Sequence, residues 1–520
     1  MAAAYSITTS GDKFASSREQ FESIVASLES PAALRMSHAE LEDHLTREGR
    51  ELQRRLLQEH LDLKSGAEVR LPAVEGSDGI RRQEARVLPI GLGSVFGGVR
   101  VGRIVYQGVG VAGLAPMDAV LNLPTGYYSY GIRKLVADHA AKDSFEEVVA
   151  EVQSITGTTV HKRQVEALAI AAAVDFDEFY ALWPVEHAEL VPWAHIVLSF
   201  DGKGIVMRRE DLREATRKAA ERGSRKLEKR LTKGEKRNRK RMAEVATVYA
   251  IEPFVRDAED VVRELRPAQD VAKRRPRPSF KRVWASVVED MTEVIDEAFC
   301  HARRIDPNPA RPWVVVVDGN KDQLRAVRKA AKKHGVQVVV IIDLMHVLEY
   351  LWKASYGFHP EGSQQSQDWV TERLRALLTG HDPGQIAAGI RRSATRQNLS
   401  ASQRKAVDAC AQYLINNRRW IDYPTALQRG YPIATGVVEG ACRYLVKDRM
   451  DRTGARWSLN GAEAVLRLRA LRTSGDFPAY WSFHLERELH RNHLDLYAAA
   501  RAPSPLPEPR AGKPNLRRIK

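Results

Sequence analysis

The sequence predicts an α/β core built around a mixed five-stranded sheet, interrupted by an all-α insertion and preceded by a mainly helical N-terminal region. Three observations carry this expectation. Arg311 to His346 holds two apolar runs rich in β-branched residues, Trp313–Val317 and Val336–Ile342, which end in Asp318 and Asp343 and flank a basic amphipathic segment. Short valine runs of this kind suit strands buried on both faces, and a helix of that length suits a right-handed crossover. The two strands should therefore be parallel neighbours with both carboxylates at the sheet's carboxyl edge, where open α/β sheets place their sites. A third apolar run, VPWAHIVLSFD, also ends in an aspartate, Asp201. From Leu348 to Arg429 the pattern is helical and rich in polar residues, as a bundle requires.

At about 150 residues per domain, a chain of 520 residues should form three or four domains, and 43% apolar residues suffice for packed cores. The formal charge of +15 and a pI near 9.6, without a phosphate-binding glycine fingerprint near the start, favour a polyanionic partner, nucleic acid first. Cys300, Cys410 and Cys442 are isolated, without the paired spacing of a zinc site or a disulfide framework, which fits a reducing compartment and buried thiols. The start lacks the charged and apolar segments of a signal peptide and no run reaches membrane-spanning length, so a cytoplasmic, nucleoid-associated location is expected.

Taken in order, residues 1–66 should be helical, with Leu41, His44, Leu45, Leu52, Leu56 and Leu57 forming an amphipathic face that packs on a neighbour or dimerises. Residues 67–113 are glycine-rich, and the alternation from Val99 to Tyr106 suggests a small β-hairpin unit. Within 114–185, Ser144-Phe145-Glu146-Glu147 is a capping box that opens a helix ending at Thr156-Gly157. A second helix follows, with His161, Lys162, Arg163 and Gln164 at its amino end, which is what a helix-turn-helix presents to a major groove. The core starts within 186–346. Its first strand ends at Asp201, and a short return strand covers Ile205–Arg208. Arg225–Arg241 then carries ten Lys or Arg, Arg237 and Lys240 among them, against two Glu; a run this dense suits a phosphate backbone. AEVATVYAI at 243–251 alternates as a strand, 273–282 is a basic, proline-rich loop, and a helix spans 283–302. The insertion occupies 347–430, the core resumes over 431–499, and 500–520 is a basic, proline-rich tail expected to be disordered.

Three strands, a helix, a strand, a helix and a strand, with aspartates after the first and fourth, follow the order of the ribonuclease H fold. Its chemistry needs carboxylates because Mg²⁺ prefers hard oxygen ligands, and two such ions can hold the attacking and leaving oxygens of a phosphoryl transfer. A third carboxylate must come from a later helix. Glu439 qualifies, in the first turns of a helix launched by Pro432 and Gly436, with Arg443 and Lys447 along its polar face and Val438, Cys442 and Leu445 on the other.

FDGKGIVMR at Phe200–Arg208, KRVWASV at Lys281–Val287, VVDGNKDQL at Val316–Leu324, DLMHVLEYLW at Asp343–Trp352 and ATGVVEGACRYLVKDRMDRTGARW at Ala434–Trp457 together resemble the Kra-type DDE transposases of bacterial insertion sequences. The likeness runs from about Leu121 to His490 and extends to the wider Mutator-related group, whose Cys or Asp, two residues, then His signature is matched by Asp343-Leu344-Met345-His346. The resemblance implies a metal-binding catalytic triad of Asp201, Asp318 and Glu439 with Mg²⁺ or Mn²⁺. Asp343 and His346 would order the site, although Asp343 also crowns its strand and competes with Asp318 for the second metal position. Double-stranded DNA, as terminal inverted repeats and target, is the implied partner, engaged by a homodimer or higher oligomer. Lys162, Arg163, Arg237, Lys240, Arg443, Lys447, Arg449, Arg456 and Trp457 are the implied DNA contacts. Two alternatives stand beside this: a transposase-derived DNA-binding protein without catalysis, and a ribonuclease H-like nuclease that cuts without joining.

Overall fold

The structure, a computed structural model, describes residues 12–182, 191–222, 235, 239–265, 274–452 and 454–507. It divides into two compact units: 180–477, and 1–179 together with 478–520. No helix among the described residues is long and apolar enough to cross a membrane.

The larger unit is a mixed α/β structure around one five-stranded sheet. Its strands are β1 (His195–Val206), β2 (Lys240–Ile251), β3 (Ser279–Ser286), β4 (Trp313–Val317) and β5 (Val338–Ile342), in spatial order β3-β2-β1-β4-β5. β1, β2 and β3 form antiparallel pairs, whereas β4 runs parallel to both β1 and β5. The expected parallel pairing is present in register from Trp313 opposite Val338 to Val317 opposite Ile342. Every residue of β4 is buried. Trp313 is 1% exposed and its indole N–H donates to Asp306 Oδ2 at 3.0 Å, so a side chain whose burial is worth about 2–3 kcal/mol leaves no polar atom unpaired. β5 departs from the expectation of burial on both faces: it is the edge strand, and Val339 is exposed.

Two other expectations are corrected. The first strand does not stop at Asp201, and Ile205–Arg208 is no return strand. β1 continues through Gly202-Lys203-Gly204 to Val206, because β2 pairs with it residue by residue from His195–Ile251 to Val206–Lys240. Cross-strand pairing overrides the local turn tendency of Asp-Gly. The third strand lies instead at Ser279–Ser286, where the sequence suggested a loop running into a helix. Val283, Trp284 and Ala285 are buried on the β2 edge, and helix α1 (Met291–Ile305) starts later, behind a capping box of Asp290 and Glu293. A short apolar run does not separate strand from helix by periodicity alone.

α1 packs on β1 and β2, and α2 (Lys321–Lys333) forms the crossover between β4 and β5. Between β5 and residue 436 the regular structure is helical throughout, as expected of the insertion: α3 (Leu344–Ser355), α4 (Gln364–Leu378), α5 (Pro383–Arg396), α6 (Ala401–Asn417) and short turns. α7 (Gly436–Ala441) continues as a π-helical turn, Cys442–Lys447, and α8 (Leu459–Ser474) packs on β3.

In the other unit, helices Ala15–Leu28 and His38–Ala67 pack together, and Leu61 of the second shares a core with Leu92, Val99 and Val101. The alternation from Val99 to Tyr106 is split between two sheets: Gly97–Val101 pairs with Ile90–Ser94, while Ile104–Gly108 pairs with Glu84–Val87 and Val111–Leu114. The capping box at Ser144 and the left-handed Gly157 are present, and Tyr130–Ala140, Phe145–Thr156 and Lys162–Ala172 form a three-helix cluster. Residues 478–499, expected in the core, join this unit: Tyr480 Oη donates to the Ala172 carbonyl at 2.7 Å, and Tyr497 is buried with Val74 and Tyr106. The first part of the expected disordered tail is held here too, since Val69 N donates to the Pro505 carbonyl at 2.7 Å. Residues 508–520 lie outside the described residues.

Candidate functional site

Four carboxylates come to the carboxyl edge of the sheet from four different elements. Asp201 sits on β1 just past the last β4 pairing, Ser199 with Val316, so its side chain belongs to the edge although its strand continues. Asp318 follows β4 directly. The turn behind it requires a glycine: Gly319 has φ +89°, and a Cβ there would lie 2.7 Å from Asn417 Oδ1. Asn320 N then donates to Asp318 Oδ1 at 2.8 Å, and Asn320 caps α2 through the Asp322 and Gln323 amides. Tyr413 of the insertion holds the Asp318 carbonyl at 2.7 Å.

Asp343 follows β5, is 0% exposed and caps α3. Its Oδ2 lies 2.6 Å from His346 Nδ1, and its Oδ1 accepts the Thr435 amide at 2.9 Å. Burial alone would raise the carboxyl's proton affinity, but the hydrogen bonds from His346 and Thr435 and the imidazole charge hold it below the ordinary range. The same bond drives His346 the other way. Its pKa is pushed up to about 9, against partial burial, with the charges of Asp343, Asp318 and Glu349 adding to the effect. At neutral pH the pair is imidazolium and carboxylate.

Glu439 arrives on α7, where the Thr435 hydroxyl donates to its Oε1 at 3.3 Å. The glutamate opens to solvent, yet the protein crowding its carboxyl, together with the charges of Asp343 and Asp201, raises its proton affinity against the opposing influence of Thr435 and His346. Three residues on, Cys442 Sγ donates to Asp201 Oδ2 at 3.1 Å and ties the helix to β1. Among the described residues, the ligand atoms of Asp343, His346 and Glu439 all lie within 4.8 Å of one another. Asp201 and Asp318 stand just outside this tight set. Asp201 is coupled to it through Cys442 and Glu439, and Asp318 through His346. Of these carboxylates Glu439 is the one whose proton is held more tightly than usual, and the crowding of like charge that does this is of the kind a cation would relieve. The donors are hard carboxylate oxygens, which suit Mg²⁺ or Mn²⁺. Both Asp343 oxygens already accept hydrogen bonds, whereas Asp318 holds one backbone amide through Oδ1.

Three contributors are not marked by the sequence. Glu244 on β2 lies opposite Gly202, and burial with the nearby charges of Asp201 and Asp290 raises its proton affinity despite Arg213. Only the β1–β2 register sets it opposite the residue that follows Asp201. Thr435 and Cys442 lie in the stretch already singled out, but their contacts depend on how the helix meets the strands.

The residues expected to touch DNA divide. Arg443, Lys447 and Arg456 are exposed. Arg449 and Trp457 are not available to a duplex: Arg449 is 3% exposed with its guanidinium 4.7 Å from the Trp457 ring centre. Trp457, 5% exposed, donates its indole N–H to the Met450 carbonyl and bridges to Met207, the residue after β1. Its size and apolar area place it in the core rather than under a base. Lys240 opens β2 and is half-buried. Lys162 and Arg163 are exposed at the amino end of their helix in the other unit, where Lys162 pairs with Glu146. Arg237 lies outside the described residues. No protein-family model and no curated protein matches the chain.

Proposed function

We propose that this chain is a DNA transposase of the DDE type, with a ribonuclease H-like core that cuts element ends and joins them to target DNA. The observation that carries the reading is the meeting of Asp201, Asp318, Asp343 and Glu439 at one edge of a sheet with order β3-β2-β1-β4-β5. That order, three antiparallel strands followed by two parallel ones, is what the ribonuclease H reading requires. The net charge of +15 and the exposed Arg443, Lys447 and Arg456 support a polyanionic substrate.

Asp201, Asp318 and Glu439 would hold the divalent cations. Two bound ions would lower the pKa of an attacking water and steady the leaving 3′ oxygen, and in the joining step the freed 3′ hydroxyl takes the place of the water. Asp343 acts as a positioning residue: it fixes α3, orients His346 and keeps the imidazole charged, so that His346 meets a phosphate oxygen as a donor. Cys442 and Thr435 set the pitch of Glu439 towards β1 and β5. The exchange of one phosphodiester or water bond for another needs no nucleotide cofactor.

The test uses element-end DNA, a supercoiled target and Mg²⁺, with wild type, Asp201→Ala and Glu439→Gln compared. Joined products from the wild type alone support the reading. Equal activity in all three removes the carboxylate assignment, and cleavage without joining turns the protein into a nuclease.

A further inference from the structure

We propose that Asp296, Cys300 and His334 form a zinc-binding site, separate from the carboxylate edge. α1 brings Asp296 and Cys300 to one face, four residues apart, and His334 caps the carboxyl end of α2. The ligand atoms of the three all lie within 4.8 Å of one another. α2 starts beside Asp318 and its 13 residues carry the chain back along the sheet, about 20 Å at 1.5 Å per residue. The two sites therefore occupy opposite ends of the crossover helix.

The arrangement favours a metal over a nucleophile. A thiol-imidazole-carboxylate relay needs the thiol and the carboxylate on opposite ring nitrogens, so that the proton taken from sulfur is balanced through the far side. Here both face the same atom. His334 Nε2 lies 2.9 Å from Asp296 Oδ1 and 4.0 Å from Cys300 Sγ, so three donors converge on one small volume. Zinc bonds of about 2.0–2.3 Å in a tetrahedron set donors roughly 3.4–3.6 Å apart, between those two distances. The second oxygen of Asp296 is held by Lys333 Nζ at 2.6 Å, which leaves Oδ1 as a single-oxygen ligand with an outer partner, a usual support for a metal-bound carboxylate. The His334 ring is stacked on Phe299 with centroids 5.8 Å apart, which fixes its aim.

One thiolate, one imidazole and one carboxylate suit Zn²⁺, whereas a thiolate is a poor ligand for Mg²⁺ or Ca²⁺. Cys300 is exposed, so the fourth position faces solvent and takes water or a donor from a partner. Bound there, the ion ties the end of α2 to the middle of α1.

The full-length chain, stripped with a chelator, is titrated with Co²⁺ as a coloured stand-in and then with Zn²⁺, in excess Mg²⁺. One Co²⁺ per chain with a thiolate-to-cobalt absorption band, bleached by Zn²⁺, is expected. Cys300→Ser should abolish the band, His334→Ala should weaken Zn²⁺ binding at least about tenfold, and Asp201→Ala should leave both intact. Absence of the band in the wild type overturns the site. So does a band that survives Cys300→Ser, which would assign it to another thiol such as Cys442 beside Asp201. Cys300 is at the surface, so Cys300→Ser keeps its fold, checked by circular dichroism without metal.

Discussion

The Asp343–His346 pair gives the most direct test of the site's electrostatics. In the wild type the imidazole should titrate at about 9 instead of 6.5, because its Nδ1–H lies 2.6 Å from a fully buried carboxylate. A shift of that size corresponds to at most about 3–4 kcal/mol of preference for the charged form. A third of the His346 side chain meets solvent, and screening there brings the net stabilisation to about 1–2 kcal/mol. The sign follows from a raised histidine pKa: the folded state binds this proton more tightly than the unfolded chain, so the stabilisation is complete below about pH 6.5 and disappears as pH rises through about 9. Histidine-selective NMR, with the resonance assigned by its loss in His346→Gln, should give a midpoint near 9. Asp343→Asn should return the midpoint towards 6.5, since the amide accepts the same hydrogen bond without the charge. Denaturation of wild type and His346→Gln should differ by about 1–2 kcal/mol more at pH 6 than at pH 10. A wild-type midpoint below 7, or a stability difference that ignores pH, would refute the charged pair and the role given to Asp343.

Other consequences are measured separately. Asp201→Ala and Glu439→Gln should each reduce Mg²⁺-dependent strand transfer by at least about a hundredfold while leaving the circular dichroism spectrum unchanged, because neither side chain is fully buried. Gly319→Ala should lower both stability and strand transfer, since its left-handed φ and the nearby Asn417 force the turn behind Asp318 to shift; normal activity with an unchanged melting temperature would contradict this. Trp457→Ala should cost about 3–5 kcal/mol of stability, as expected of a buried ring, whereas Arg443→Ala and Lys447→Ala should leave stability within about 0.5 kcal/mol and reduce the salt dependence of DNA binding, read by fluorescence anisotropy across a range of salt concentrations.

What was legible in the sequence follows a physical division. The β4–α2–β5 unit was visible because each part is local: a valine run, an amphipathic helix and a second run, each with its own period. Asp318 and Asp343 were placed by the same pattern, and the capping box at Ser144 needs only four residues. β3 was missed because Lys281–Val287 is short, carries two cations and borders a proline-rich stretch, so its strand character comes from the β2 edge it covers. Asp201 looks like a strand end in the sequence for a related reason. The Asp-Gly pair favours a turn in isolation, while β2 supplies a partner for every residue to Val206. Trp457 and Arg449 are not separable from DNA contacts in the sequence, because basic and aromatic residues near a candidate carboxylate resemble a nucleic-acid surface in one dimension and pack on each other in three.

The same contrast bears on which aspartate would hold the proposed metal. Asp318 and Asp343 end neighbouring parallel strands, so strand position alone does not separate them. Their hydrogen bonds do. Asp343 is wholly buried and gives one oxygen to the Thr435 amide and the other to a charged imidazole, which leaves its negative charge already balanced. Asp318 remains partly exposed, with a backbone amide on one oxygen. A divalent cation gains more from the carboxylate that meets the His346 charge only through space and not through a hydrogen bond, and this favours Asp318 as ligand and Asp343 as organiser. Asp318→Asn should then weaken the Mn²⁺ affinity of the full chain, followed by electron paramagnetic resonance, by at least about tenfold. Asp343→Asn should act chiefly through His346, with a smaller change in Mn²⁺ affinity. The reverse ranking would make Asp343 the metal ligand and His346 its displaced counterion.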